Sequence, residues 1–150
     1  MTWLRRHAPV IEAGAAVVTA LVAAIALIGV KLQLDAADAV QRAQSARDAY
    51  RAHLVLSVEH PAFNDPVDAC ALMASEQGAA YGAFVDHLLY SAEQMLTTAD
   101  GWAETFADQL APHATYLCSD LTDWGASAPL DQLLQDFRAQ TCPVTPHCAR

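Results

Sequence analysis

The residues best suited to chemistry are the histidines and cysteines of the C-terminal half. His113 lies on the apolar face of a helical segment, between Leu110 and Leu117. A histidine in that setting is either a core residue held by one hydrogen bond, or a metal ligand or general base. Core packing is the simpler interpretation. We therefore predict no catalytic and no cofactor-binding residue in this chain.

A second set of residues near the C-terminus could surround a metal ion. Cysteine thiolates and histidine nitrogens are the usual ligands of structural zinc. Their spacing here matches no established zinc pattern, so the sequence predicts no metal site. The candidates kept for that alternative are His113, Cys118, Cys142, His147 and Cys148.

The four cysteines also allow two disulfides, with three possible pairings that sequence alone leaves open. Cys142 and Cys148 enclose five residues, two of them proline. A short terminal clip is feasible across such a loop. We therefore predict Cys142–Cys148 as a possible disulfide.

The common motifs of enzyme active sites are missing. The chain contains no CxxC, CxxCH, HExxH, P-loop, GxGxxG, GxSxG or EF-hand pattern. Asp86 and Glu93 lie two helical turns apart, about 10 Å along one axis, which is too far for a coupled carboxylate pair. These absences favour an accessory or interaction module over an enzyme. The alternative is a metal-binding or enzymatic helical bundle centred on His113 and Cys118.

An uncharged run of eighteen residues lies near the N-terminus, between Glu12 and Lys31. As a helix it covers about 27 Å, close to the thickness of a hydrocarbon core. With its apolar flanks it predicts a transmembrane helix over residues 10–33, with the lipid bilayer as a partner. A cleaved signal peptide is the alternative, but this run is longer than a signal core of about 7–15 residues.

The charges beside this helix barely distinguish the two sides of a membrane. Arg5 and Arg6 precede it, and Lys31 and Arg42 follow it, so the positive-inside rule is nearly balanced. The even number of cysteines favours an oxidising compartment, because disulfides are rare in the cytosol. We predict a single-pass protein of a bacterial inner membrane with a periplasmic distal domain. A cytoplasmic domain is the alternative.

The distal part of the chain is strongly acidic. Thirteen Asp and Glu residues, and no Lys or Arg, lie between Ala52 and Phe137. The net charge of −9 argues against nucleic acid as a partner, because phosphates are bound by clustered Lys and Arg. These carboxylates are either solvated or face a basic partner. Besides lipid, the expected partner is another membrane protein or a second copy of the chain.

Helical periodicity and turn residues predict an all-α protein. A 3.5-residue repeat from Leu32 to Tyr50 predicts that the anchor continues as a helical stalk until Pro61. Asp65 and Pro66 are expected to cap and begin the next short helix. The predicted organisation is an N-terminal tail (1–9), a transmembrane helix (10–33), a stalk (34–60), an acidic helical domain (61–141) and an irregular cysteine-containing tail (142–150).

Three further predictions concern the acidic domain. The clearest pattern is an amphipathic helix whose apolar face carries Tyr81, Phe84, Val85, Leu88, Ala92 and Met95. A turn is expected at Asp100-Gly101, and Pro112 should interrupt the helix that follows. The last helix is expected from about Ser127 to Gln140. Packed together, these segments predict a small helical bundle.

Several of these segments also resemble a loose group of uncharacterised bacterial proteins with one membrane helix and a short helical domain. The matching features are the His60-Pro61 turn, the helix YGAFVDHLLYSAEQML, Trp102 and the segment HATYLC. The resemblance covers roughly residues 15–120 and leaves out the cysteine tail. It implies the same architecture and brings no activity with it.

Overall fold

The computed structural model describes residues 2–119, 126–145 and 148. Helices joined by short turns and irregular segments make up these residues, with no strand among them, which confirms the predicted all-α class. The helices are α1 (Thr2–Glu59), α2 (Pro61–Asn64), α3 (Ala69–Ala74), α4 (Gly78–Thr98), α5 (Ala103–Leu110), α6 (Ala114–Ser119) and α7 (Ala128–Thr141), with 3-10 turns at Ala111–His113 and Cys142–Val144.

The chain divides into two compact units, Met1–Val40 and Gln41–Arg150. The second unit, called the lobe below, includes residues 41–59 of α1. The sequence assigned residues 34–60 to a helical stalk expected to pack against its own distal lobe, and residues 41–59 do pack with the helices that follow them. The reason is visible in their pattern: Ala46 and His53, seven residues apart on one helix face, are both buried.

The first unit is helix throughout its described part. Its aliphatic side chains are exposed around the whole helix rather than along one stripe, from Val17 to Val30. The helix is long and apolar enough to cross a membrane.

The lobe is organised around α4. The stripe predicted for this helix is confirmed, since all of its members are buried: Tyr81, Phe84, Val85, Leu88, Ala92 and Met95. Helix α4 begins at Gly78. Glycine fits this position because a Cβ atom there would collide with the carbonyl of Met73. The helix is followed by a turn in which Gly101 has a φ of 84°, a conformation that favours glycine.

The other helices complete the core against α4. Pro112 interrupts the helix as expected, because α5 stops at Leu110 and a 3-10 turn leads into α6. Helix α7 has the predicted position, with its inward residues buried. The core contributed by these helices comprises Phe106, Leu110, Leu117, Leu130, Leu133, Leu134 and Phe137.

The segment between α1 and α4 differs from its prediction in two respects. Pro61 begins a short helix of its own, α2, instead of only ending the stalk. The cap of α3 is Asp68 rather than Asp65, and its carboxylate accepts a hydrogen bond from the Ala71 amide at 2.9 Å. The chain continues irregularly past Pro66, so Asp65 lies too early to reach the amides of the next helix.

Candidate functional site

Tyr81 and His113 form a buried polar pair in the middle of the lobe. The 3-10 turn after α5 places His113 opposite α4, where its Nδ1 and the Tyr81 hydroxyl form a hydrogen bond of 3.0 Å. His113 is 1% exposed, and its ring lies 5.9 Å from the ring of Phe84. His113 is therefore a core histidine held by one hydrogen bond, as the simpler sequence interpretation expected.

A second buried histidine, His53, was not singled out from the sequence. It lies on the lobe part of α1, is 2% exposed, and packs against Phe84 with the ring centroids 4.9 Å apart. Its Nε2 is 3.4 Å from the Ser57 hydroxyl. The signal was present, because residues 46, 50, 53 and 57 continue the 3.5-residue repeat of α1.

His87 on α4 completes a cluster of three histidines. Its ring stacks on that of His53, with centroids 5.8 Å apart and the ring planes 16° apart. The Nδ1 atoms of His53 and His87 are both buried and have no hydrogen-bond partner among the described residues. We call His53, His87, His113 and Tyr81 the histidine cluster. The ring of Phe84 packs against both His53 and His113.

Burial determines the protonation of His53, Tyr81 and His113 in this cluster. It lowers the pKa of His53 to about 4, and the neighbouring charge of His87 acts in the same direction. Burial also lowers the pKa of His113 to about 4, with His53 adding to the effect and Asp65 opposing it. Burial, with a smaller contribution from Tyr116, raises the pKa of Tyr81 to about 12. His53, His113 and Tyr81 are therefore neutral at pH 7.

The disulfides correct the pairing expected from sequence. Cys142 is joined to Cys118, and Cys148 is joined to Cys70, so the predicted Cys142–Cys148 clip is wrong. The packing of α6 beside the end of α7 brings the Cα atoms of Cys118 and Cys142 to 5.5 Å, within the range that a disulfide requires. Proximity in the fold, which a single sequence does not reveal, therefore decides the pairing.

These disulfides also occupy the sulfurs of the candidate zinc set. Each of the four cysteines is oxidised, whereas a zinc ligand must be a thiolate. His113 is bonded to Tyr81 rather than facing Cys118, and His147 lies outside the described residues. Within the described ranges, no three His, Cys, Asp or Glu side chains are placed to hold a metal ion.

Glu93, which lies two helical turns from Asp86, has a structural role that the sequence did not predict. Glu93 Oε1 accepts a hydrogen bond of 2.8 Å from the Ser127 amide, at the start of α7. The negative charge thereby lies at a helix N-terminus, where it is favourable. Partial burial raises the pKa of Asp86.

The histidine cluster is enclosed as it stands. His53, Tyr81 and His113 are almost completely buried, so no substrate contacts them in this conformation. A histidine whose pKa is about 4 is also a weak base at neutral pH. The chain matches no family model, no curated protein and no solved structure.

Proposed function

We propose that this protein is a membrane-anchored interaction module, with its lobe on the periplasmic side of a bacterial inner membrane. The observation that carries the proposal is the contrast within the chain. The aliphatic side chains from Val17 to Val30 are exposed around a helix, while the lobe buries its own apolar side chains in a closed core. The resemblance to bacterial single-pass membrane proteins, described above from the sequence, is a second line of support for this proposal.

The exposed aliphatic helix supports the membrane assignment. Exposed apolar surface is unfavourable in water by roughly 25 cal/mol per Å². A helix that is apolar on every side therefore needs a nonaqueous surrounding, which a bilayer supplies. Its exposed side chains include Val18, Leu21, Val22, Ile25, Leu27 and Ile28.

The two disulfides support the periplasmic side. All four cysteines of the chain are paired, and stable structural disulfides are typical of oxidising compartments. This argument is stronger than the charges around the anchor, which are nearly balanced between the two sides.

An interaction role rather than catalysis is supported by what the lobe surface offers. Its most reactive side chains are enclosed, while the acidic side chains of Glu104 and Asp108 are exposed on α5. No Lys or Arg lies between residues 52 and 137 to neutralise this surface. A basic surface of another membrane protein, or the arginines of a second copy, would complement it.

The side of the membrane is tested with paired fusions after Arg150. Alkaline phosphatase folds only in an oxidising compartment, so we expect an active phosphatase fusion and a dark fluorescent-protein fusion. The fusion proteins should resist extraction by alkaline carbonate. A fluorescent fusion together with an inactive phosphatase would place the lobe in the cytoplasm and contradict the proposal.

The interaction role is tested by purifying the full chain in a mild detergent. We expect a stoichiometric protein partner or a dimer, weakened by the charge reversals Glu104→Lys and Asp108→Lys. His113→Gln is the matched control, because an interaction surface does not use this buried ring. Loss of a bound metal or an activity in His113→Gln, with association unchanged by the charge reversals, would favour an enzyme instead.

A further inference from the structure

The lobe part of α1 and the short helix α2 lie outside the loops that the disulfides close. The Cys70–Cys148 bond closes a loop over α3 to α7, and Cys118–Cys142 closes a smaller loop inside it. Residues 41–59 precede both loops. Only noncovalent contacts therefore hold this helix against the lobe, so its docking is reversible while the other helices stay cross-linked.

Two hydrogen bonds and one aromatic group dock this segment. Ser91 Oγ on α4 donates to the Ala49 carbonyl at 3.2 Å, and Gln109 Nε2 on α5 donates to the Tyr50 hydroxyl at 2.7 Å. The ring of Tyr50 also packs edge-on against that of Trp102, 5.3 Å away. Trp102 consequently senses whether α1 is docked.

His53 occupies the same interface and is its titratable member. It packs against Phe84 and His87 of α4, in a surrounding that admits a neutral ring but not a charged one. The Nδ1 atom of His53 has no hydrogen-bond partner among the described residues, so a proton added to this nitrogen would have no acceptor. The ring of His113 also packs against Phe84, and the charge of His53 acts on His113.

We propose that proton uptake by His53 and His113 releases residues 41–59 of α1 from the disulfide-linked part of the lobe. Docking of the helix that continues from the anchor is then controlled by pH. The released state is favoured in acid, because it exposes the imidazole of His53 to water, where it can carry a charge, and moves His53 away from His113, on which its charge acts. This inference does not depend on which side of the membrane the lobe occupies.

The direction follows from the histidines. Burial lowers the pKa of both from 6.5 to about 4, so the released state binds more protons than the docked state between those values. The free energy that favours docking has its full value above pH 6.5 and decreases as the pH falls toward 4. Each histidine raises the equilibrium constant for release by up to about tenfold per pH unit, and two together by up to about a hundredfold.

The acidic groups act in the opposite direction. The charge of Asp65 favours protonated His113 inside the docked lobe. Burial raises the pKa of Asp86, so its protonation in acid favours the folded lobe. Acid also reduces repulsion among the surface carboxylates, which favours the docked state. Release in acid would therefore be caused by the histidines and not by the carboxylates. The titratable groups around His53 and His113 are Asp65 after α2, His87 and Tyr81 on α4, and Tyr116 on α6.

The experiment uses the full chain in neutral detergent with Trp102 as its single tryptophan, obtained with Trp3→Phe and Trp124→Phe. Acrylamide quenching of Trp102 is measured from pH 7.5 to 4.5. We expect quenching to increase between pH 6 and 4.5, more steeply than a one-proton titration, and to reverse on neutralisation. Quenching that stays constant over this range would overturn the proposal.

The matched variants separate these histidines from general acid effects. His53→Gln with His113→Gln should abolish the increase, whereas His60→Gln, which removes an exposed imidazole, should leave it unchanged. An unaltered increase in the double variant would overturn the proposal. If that variant does not fold at pH 7.5, NMR titration of the histidines in the single-tryptophan parent decides. Protonation of His53 and His113 must then coincide with the change in Trp102, and protonation without that change would refute the release.

Discussion

Residues 17–30 of α1 and the helix α4 both carry many long apolar side chains, but they bury different fractions of them. Leu21 is 59% exposed, whereas Leu88 at the centre of α4 is 0% exposed. Helix α4 alternates its apolar stripe with exposed positions such as Tyr90, while residues 17–30, the proposed anchor, have no polar face. Composition shows that both helices are rich in apolar side chains. Periodicity shows which helix packs those side chains against other helices of the protein.

The comparison implies that changes in the lobe should leave the helicity of residues 17–30 unaffected. Helicity of the anchor is maintained by its own hydrogen bonds in a lipid or detergent surrounding. The lobe depends on side-chain packing and on two covalent loops. Each prediction below changes the lobe and uses another position as its reference.

The largest effect should come from removing both disulfides. Each native disulfide contributes about 2–4 kcal/mol to the free energy of unfolding, and a small domain has about 5–15 kcal/mol in total. Reduction should therefore unfold the lobe, or nearly so, while the helicity of the anchor in detergent persists. Circular dichroism during urea titration, with and without reductant, measures both. An unchanged urea midpoint after complete reduction would contradict this role of the disulfides.

Truncating the centre of α4 should have the next largest effect. Leu88→Ala removes a completely buried side chain and should lower the free energy of unfolding of the lobe by about 2–5 kcal/mol. Leu21→Ala makes the same chemical change in the anchor and should leave lobe unfolding unchanged. Equal losses from the two variants would show that the anchor stabilises the lobe, and the comparison would fail.

A smaller loss is expected from Tyr81→Phe. This variant keeps the ring but leaves His113 Nδ1 without its 3.0 Å partner, which should cost about 1–3 kcal/mol. Tyr90→Phe, on the exposed side of the same helix, is the control and should change the unfolding midpoint by little. A Tyr81→Phe protein as stable as its parent would mean that the buried hydrogen bond contributes nothing.

The smallest effect should come from a helix cap. Asp68→Ala removes the acceptor of the Ala71 amide, and loss of such a cap costs about 1 kcal/mol. Asp48→Ala removes an exposed ion pair with Arg51 on α1 and should change stability by less than about 0.5 kcal/mol. Thermal melts of the two variants should rank in that order, and the reverse ranking would contradict it.

The fold was largely predictable, because its signals are local in sequence. The apolar run, the stripe from Tyr81 to Met95 and the interruption at Pro112 each depend on neighbouring residues. The partners of Cys70 and Cys118 were not predictable, since they are set by packing between distant segments. His53 was overlooked for a related reason. Its place in the repeat of α1 predicts burial, but only the fold shows that His87 and Phe84 lie against it.

The nested arrangement of the two disulfides has a consequence for biosynthesis. The cysteines leave the ribosome in the order Cys70, Cys118, Cys142 and Cys148, and an oxidase acting on successive thiols would join the first to the second and the third to the fourth. The native bonds instead join the outer two and the inner two. Maturation therefore requires either assembly of the helices before oxidation or reshuffling by thiol–disulfide exchange. Cells without a disulfide isomerase distinguish the two routes: wrongly paired chains, which nonreducing electrophoresis separates from the native form, accumulate there only if maturation uses reshuffling.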